Sequence, residues 1–171
     1  MTLPGVSVRP IELADIGSLA DCVAAVIAER AYLAFTVPFA LEETARFVAG
    51  NIRLGNPQFV AAERGRIVGW CDVVRSILPV HLHSGVLGMG VLAAYRAHGL
   101  GRKLIGATIG AARVAGFERI DLVVYGRNTR AASLYRKAGF REIGRRIRGK
   151  KLDGDYDDEL LMELVFDEVT T

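Results

Sequence analysis

The stretch from Gly88 to Gly101 constrains the fold of this chain more than any other part of its sequence. An apolar run over residues 88–92 is followed by a short connection, and two glycines, Gly99 and Gly101, open the next apolar pattern. This order predicts a strand that leads through a tight turn into a helix. Glycines at a helix mouth let the backbone approach an oxyanion, which the first-turn N–H groups and the helix dipole then face. The stretch therefore predicts a binding site for an anion.

Several side chains around these glycines could add positive charge or hydrogen-bond donors. They are Arg96, His98, Arg102 and Lys103. A ligand with several negative charges, such as a diphosphate, suits this site, although two glycines could also serve turn geometry alone. The best-known phosphate loops do not match, since GxxxxGKS/T is absent and Leu104 occupies the third glycine position of GxGxxG. The residues expected to surround the anion are Arg96, Ala97, His98, Gly99, Leu100, Gly101 and Arg102.

A second block of residues lies about one helix and one strand further along the chain. It contains Asn128, Ala131 or Ala132, Tyr135, Gly139 and Phe140. Together the two blocks resemble the GNAT superfamily of N-acetyltransferases. In that family an Arg/Gln-x-x-Gly-x-Gly/Ala loop holds the diphosphate of coenzyme A, and an Asn-x-x-Ala-x-x-x-Tyr-x-x-x-Gly-Phe block follows. The resemblance is close over roughly residues 87–140 and extends to the flanks by element pattern.

The hydrophobic periodicity along the chain predicts the order β-α-α-β-β-β-α-β-α-β-β. The resemblance implies an α+β fold of the acyl-CoA N-acyltransferase type: a mixed, centrally splayed sheet flanked by helices, with the cofactor between two parallel strands. A length of 171 residues suits one core, so a single domain over residues 1–171 is expected. Strands are predicted near residues 6–9, 59–62, 67–74, 83–92, 119–124, 140–148 and 156–165, and helices near 12–29, 41–54, from 100 onward and 128–137.

The composition argues against several other classes of protein. A formal net charge of +3 does not favour a nucleic-acid partner. No apolar run reaches the ~18 residues that span a bilayer, and residues 1–5 lack a leader pattern, so we expect a cytoplasmic protein without membrane contact. Cys22 and Cys71 have apolar neighbours and no CxxC spacing, which predicts buried free thiols. His81 and His83 lack a third ligand, so no metal site is expected.

The resemblance implies that acetyl-CoA is the co-substrate and that its acetyl group passes to an amine. Tyr135 matches the family tyrosine that protonates the departing thiolate, although it could also simply pack beside Leu134. Asn128 is expected to cap its helix and to hydrogen-bond the pantetheine arm. Backbone groups of the strand would bind the same arm, and a bulge there could aim an N–H at the thioester oxygen. The strand residues concerned are Met89, Gly90 and Val91.

The base that removes the proton of the amine is less well defined by the sequence. The candidates are Asp72, His83, Glu29 and Glu42. His83 is favoured because imidazole titrates near neutral pH and its strand leads to Met89, although an ordinary strand histidine is the alternative. We expect Glu29, Asp72 and His83 to line the acceptor site.

The acceptor is predicted to be a free amino acid or another small primary amine. Deprotonating a lysine side chain at neutral pH costs about 4–5 kcal/mol, whereas a peptide-type α-amine costs only about 1 kcal/mol. The chain is also similar to small bacterial enzymes that acetylate such amines, at His83, in the strand around Leu87 and Gly88, and over Lys150 to Asp157. Protein N-termini, aminoglycosides and polyamines remain alternatives, as does an acetyl-CoA-binding sensor without turnover. An apolar stretch near the end of the chain suggests a homodimer through a sheet edge or through the last strands. Its residues are Leu160, Leu161, Val165 and Phe166.

Overall fold

The computed structural model describes residues 5–166, so most of the segment tested for a leader pattern lies outside it. Its helices and strands follow the predicted order, and the predicted fold class is confirmed. The strands are β1 (Val6–Pro10), β2 (Gln58–Glu63), β3 (Arg66–Arg75), β4 (Ser84–Val91), β5 (Arg119–Tyr125), β6 (Arg141–Leu152) and β7 (Asp155–Val165). The helices are α1 (Ile16–Ala28), α2 (Leu41–Leu54), α3 (Leu100–Val114) and α4 (Thr129–Lys137).

The seven strands form one mixed sheet in the order β1-β2-β3-β4-β5-β7-β6. All neighbouring strands are antiparallel except β4 and β5, which are parallel. These two strands pair at three positions only, from Ser84 with Arg119 to Val86 with Asp121. Because β4 then continues to Val91 without a partner on β5, the sheet opens toward the carboxyl ends of both strands. The predicted central splay is therefore present.

Helices cover both faces of the sheet. α3 and α4 pack on one face around residues such as Leu104 and Ile120, while α1 and α2 pack on the other around Leu19 and Trp70. Each fully buried apolar side chain contributes about 1.5–3 kcal/mol to stability. Leu100, in the first turn of α3, is itself buried in this core. The packing therefore fixes the start of α3 beside the end of β4.

The apolar stretch near the carboxyl terminus does not form a sheet edge. β7 lies between β5 and β6, and Leu160 and Phe166 are buried. The edge strands are β1 and β6, and β6 is the one beside β7. The arginines of β6 form ion pairs with β7, as Arg146 does with Glu159 at 2.9 Å. A charged edge disfavours pairing with another chain. The edge argument for a homodimer is therefore wrong, and dimerisation remains a prediction without that support.

None of the four helices in the described part of the chain is long and apolar enough to cross a membrane.

Candidate active site

The opening between β4 and β5 leaves backbone groups of β4 unpaired. The N–H of Leu92 donates to the carbonyl of Val68 at 2.9 Å, which fixes the hydrogen-bonding direction along β4. Because this direction alternates in an antiparallel pair, the N–H groups of Met89 and Val91 point away from β3 and into the opening. Beyond Val86, β4 has no partner on β5. An extended chain with amide groups could therefore pair with β4 as an added strand.

One expectation for this strand is corrected. The pairing of β3 with β4 runs without a register shift from Gly69 and Val91 to Arg75 and Gly85, so the expected bulge is absent. Gly90 has a packing reason to be glycine, because a Cβ there would lie 2.3 Å from the Trp70 ring.

The turn before α3 has the geometry of an anion site. Gly99 is the N-cap residue of the helix and has a φ of +76°. Ala97 also has a positive φ of +67°, and such left-handed residues turn backbone N–H groups toward a common point. The first helical bond runs from the Lys103 N–H to the Gly99 carbonyl at 3.2 Å. The N–H groups of residues 100–102 therefore have no acceptor within the helix.

Gly101 allows α3 to lie close to α4. A Cβ at Gly101 would lie 3.1 Å from the Cδ2 of Leu134. His98, Arg102 and Lys103 lie around the helix start, and all three are exposed. The second glycine of the motif thus has a packing role, and the first leaves open space at the helix mouth.

Arg96, which is expected to lie beside the anion, contacts three protein groups near the helix mouth. Its Nη1 donates to Glu29 Oε2 at 2.7 Å, and its Nη2 donates to the other carboxylate oxygen. Its Nε donates to the Val91 carbonyl at 2.8 Å, and the guanidinium lies 4.7 Å from the centre of the Tyr32 ring. Arg96 therefore connects the end of β4 to the end of α1. Glu29, which was expected to bind substrate, is engaged by this arginine.

α4 places Asn128 and Tyr135 on the other side of the opening. The Asn128 side chain accepts a hydrogen bond from the Ala131 N–H at 3.2 Å, so the predicted helix cap is confirmed. Tyr135 is buried, with its ring edge-on to Phe140 at 5.9 Å. Its hydroxyl makes no hydrogen bond to another residue within 5–166, and burial raises the pKa of the phenol. Tyr135 therefore packs in the core and still has a free hydroxyl.

Asp72 is a buried carboxylic acid next to the unpaired part of β4. It lies on β3 opposite Gly88, and a Cβ at Gly88 would be 3.5 Å from Asp72 Oδ1. Asp72 is 5% exposed and has no ion pair or hydrogen bond to the side chain of another described residue. Burial raises the pKa of this carboxyl to about 7. Its strand position places it on the face covered by α1 and α2, whereas Tyr135 belongs to the core on the opposite face.

A buried amide nitrogen without a hydrogen-bond partner within residues 5–166 lies beside Asp72. Gln58 is the partner of Asp72 on β2, and its buried Nε2 has no hydrogen-bond partner among the described residues. Its Oε1 accepts from Asn51 Nδ2 at 3.0 Å, which fixes the orientation of the amide. Buried polar groups without partners are uncommon, and together with a strongly shifted pKa they favour a functional site.

His83 lies at the wrong end of β4 to act as the base. It is exposed in the turn before the strand, and its carbonyl accepts the Glu118 N–H at 2.8 Å where β4 and β5 are paired. Met89 is six residues further on, roughly 20 Å along an extended strand. Glu42 is exposed in the first turn of α2. Of the four candidate bases, Asp72 alone is both buried and beside the opening.

An open pocket of about 380 Å³ lies where the end of α1, the β5–α4 turn and the β6–β7 hairpin meet. Arg30 pairs with Asp153 at 2.7 Å across it, and Lys150 Nζ donates to the Ala31 carbonyl at 3.0 Å. The lining includes Asn128, so the pocket adjoins the capped end of α4. Its lining residues are Arg30, Ala31, Tyr32, Arg127, Asn128, Lys150, Leu152, Asp153, Asp155, Tyr156 and Asp157. Within residues 5–166, no group of three or more His, Cys, Asp or Glu side chains could hold a metal ion.

A mixed sheet that opens between two parallel strands, beside a helix with a glycine-rich start, is the architecture of an acetyl-CoA-dependent N-acetyltransferase. The family model described as an acetyltransferase (GNAT) domain matches residues 55–142, which is 88 of the 171 residues. The chain belongs to the GNAT acetyltransferase family, and acetyl-CoA is its co-substrate. No curated protein matches the sequence.

Solved structures of the same fold come from several bacteria. A GNAT-family acetyltransferase from Streptococcus pneumoniae is 25% identical with a TM-score of 0.88, over 94% of this chain and 99% of that one. A ribosomal-protein-alanine N-acetyltransferase from Brucella melitensis is 23% identical with a TM-score of 0.87, over 94% and 99%. A GNAT superfamily phosphinothricin acetyltransferase from Sinorhizobium meliloti, in complex with acetyl-CoA, is 20% identical with a TM-score of 0.89, over 97% and 91%.

Gly99→Val is expected to weaken acetyl-CoA binding about tenfold or more, measured as the Kd by calorimetry. The new side chain would project from the helix mouth, where no protein atom lies within 4 Å of the added Cβ, and its φ of +76° disfavours a β-branched residue. Gly116→Val is the matched control, since Gly116 follows α3 with a φ of +77° and equally open surroundings. Equal effects of both substitutions on the Kd would attribute the loss to backbone strain and contradict the anion site.

Proposed function

We propose that this protein transfers the acetyl group of acetyl-CoA directly to the primary amine of a small molecule, in a ternary complex. The observation that carries the proposal is the placement of two proton-transfer groups on opposite faces of the opened sheet. Asp72 lies toward α1 and α2, and Tyr135 belongs to the core of α3 and α4. A base is needed on the side of the amine and an acid on the side of the sulfur.

Acetyl-CoA supplies the activated acetyl thioester. The chain has hydrogen-bonding groups that could bind both its pantetheine arm and its diphosphate. The N–H groups of Met89 and Val91 would pair with the pantetheine amides, and Asn128 would bind the same arm. The free N–H groups of residues 100–102 would hold the diphosphate, with His98 and Arg102 beside it. The Val91 carbonyl already accepts a bond from Arg96, so the N–H groups of β4 carry most of this pairing.

Asp72 would act as the base. Its carboxylate takes a proton from the amine as the new C–N bond forms at the thioester carbonyl. The C–S bond breaks, and the Tyr135 hydroxyl gives its proton to the sulfur. A carboxyl pKa of about 7 is close to that of an α-amine, about 7.7, so this proton transfer is nearly balanced. Exchange with solvent then restores both side chains.

The two cysteines are poor candidates for an acetylated intermediate. Both are buried free thiols. Burial raises the pKa of Cys22 to about 12 and that of Cys71 as well. A thiol that stays protonated is a weak nucleophile. This favours direct attack by the amine.

The acceptor is proposed to be a free amino acid or a similar small amine. The pocket beside Asn128 contains cations and carboxylates together, including Lys150 and Asp155, which suits a small molecule with both charges. A protein N-terminus is the second candidate, since the pocket is open to solvent and one neighbour is a ribosomal-protein-alanine N-acetyltransferase. A sensor without turnover is disfavoured by the presence of both Asp72 and Tyr135. A single acetyltransferase domain over residues 1–171, a cytoplasmic location and a homodimer remain predictions.

The test is release of coenzyme A from acetyl-CoA, followed with a thiol reagent, against free amino acids, polyamines, aminoglycosides and N-terminal peptides. We expect stimulated release with amino acids or related small amines. Stimulation by peptides alone would favour the second candidate. Binding of acetyl-CoA by calorimetry without stimulated release across the panel would contradict the proposed acceptor and favour a sensor.

A further inference from the structure

Arg96 makes contacts with three separate parts of the active site. Its Nε donates to the carbonyl of Val91, its two Nη atoms hold the Glu29 carboxylate, and its guanidinium lies over the Tyr32 ring. The side chain is 20% exposed and that of Glu29 is 29% exposed. Two parallel hydrogen bonds from a guanidinium to a carboxylate fix the relative orientation of the two groups and the distance between them. Arg96 therefore has one defined orientation.

These contacts join the cofactor strand to the acceptor pocket. Val91 is the last residue of β4, whose N–H groups face the opening. Glu29 directly follows α1, and Tyr32 lines the pocket. The intervening residues, Arg30 and Ala31, are bonded on their other side to the β6–β7 hairpin. The segment 29–32 is thus held between Arg96 and the hairpin.

The same contacts leave Arg96 poorly suited to a diphosphate. The positive charge is already paired with Glu29, and both terminal nitrogens and the Nε are engaged as donors. Arg102 is different, since it lies in the first turn of α3 and forms no ion pair within the described residues. A diphosphate at the free N–H groups of residues 100–102 would meet Arg102 without any ion pair being broken.

We propose that Arg96 is a positioning residue that aligns the acceptor pocket with the acetyl thioester, rather than a cation that binds the diphosphate. This role rests on the proposed transfer to a small amine. Loss of the guanidinium frees the segment 29–32 from β4, so the amine is no longer held at a fixed distance from the thioester. Small displacements of a reacting group reduce rates by up to about 100-fold.

The experiment compares Arg96→Met with Arg102→Met in kcat, acceptor KM and the Kd of coenzyme A over a range of NaCl concentrations. For Arg96→Met we expect kcat/KM for the acceptor to fall by about 10- to 100-fold. We expect its Kd for coenzyme A to change by less than about twofold, with an unchanged dependence on salt. For Arg102→Met we expect a weaker Kd and a shallower salt dependence. Glu29→Gln, which keeps the side-chain shape, should reproduce part of the Arg96→Met defect in kcat/KM.

Hydrogen exchange provides a readout that needs no acceptor. Amides in the segment from residue 29 to 35 should exchange faster in Arg96→Met than in the wild type, and not in Arg102→Met. A weaker Kd with a shallower salt dependence in Arg96→Met would overturn the proposal, as would unchanged exchange in the segment. If no amine in the panel is acetylated, the proposed function fails, while the Kd and exchange measurements still decide the role of Arg96.

Discussion

Asp72→Asn is expected to lower kcat for amine acetylation by about 10²–10⁴-fold, the usual contribution of a general base. The amide has the same shape as the carboxylate but cannot take a proton from the amine. Gly88 opposite it leaves the site open, so the substitution meets no new steric conflict. The Kd of acetyl-CoA, measured by calorimetry, should stay the same, because Asp72 lies on the face away from Tyr135 and the start of α3.

The pH dependence of the wild-type enzyme gives a second test of Asp72. The base must be ionised, so kcat/KM should rise with pH through about 7 and then level off, as the pKa of the buried carboxyl implies. The Asp72→Asn variant should lack this rise. A wild-type profile that is flat between pH 5 and 8 would contradict Asp72 as the base.

The folded state should become less stable as pH rises, whereas kcat/KM should increase over the same range. The folded pKa of Asp72 lies above that of an unfolded aspartate, so the folded state holds its proton more tightly and loses stability as pH rises from about 4 to about 7. The cost above pH 7 is on the order of 4 kcal/mol. Asp72→Asn removes it, and the thermal midpoint at pH 8 should rise relative to the wild type.

Asp15→Asn is the matched control for both measurements. Asp15 is buried too, but its hydrogen bonds from Arg9 lower its pKa, so its contribution to stability is present above the unfolded pKa and lost in acid. Its loss should therefore lower the thermal midpoint at neutral pH and leave the pH dependence of kcat/KM unchanged. Equal losses of activity in both variants would point to general destabilisation instead of a missing base.

Backbone features of the site could be predicted from the sequence because they depend on neighbouring residues. The helix mouth at Gly99 and the cap at Asn128 follow from residue types within a few positions. Partners from distant parts of the chain could not be predicted in this way. Arg96 meets Glu29, which lies 67 positions earlier, and only the packing of α1 brings them together.

The orientation of Asp72 was hidden by an irregularity in the sheet. The register of β2 and β3 shifts between Ala61 and Ala62. As a result, Ile67 and Trp70 share one face although three positions separate them, which simple alternation does not allow. An acid within an apolar strand was visible in the sequence, but its face was not. The sequence favours His83 as a base by its residue type, whereas its distance from the opening depends on which ends of β4 and β5 are paired.

Tyr135→Phe is expected to lower kcat by about 10²–10⁴-fold while the Kd of acetyl-CoA changes by less than about twofold. The hydroxyl is the only group removed, and the edge-on contact of the ring with Phe140 is retained. Because the raised pKa keeps the phenol protonated at all pH values near neutral, the defect should be independent of pH, unlike that of Asp72→Asn. kcat, the Kd and the thermal midpoint are measured together.

Tyr95→Phe is the control for the loss of a tyrosine hydroxyl. The Tyr95 hydroxyl donates to Glu63 at 2.7 Å, so its removal should cost about 1 kcal/mol of stability with kcat retained. Tyr135→Phe should instead lower kcat and leave stability unchanged, since its hydroxyl makes no hydrogen bond to a described residue. An unchanged kcat in Tyr135→Phe would leave this tyrosine a packing role only. A raised Kd with an unchanged kcat would make it a contact for the pantetheine arm, and the thiolate would then have to take its proton from water in the opening.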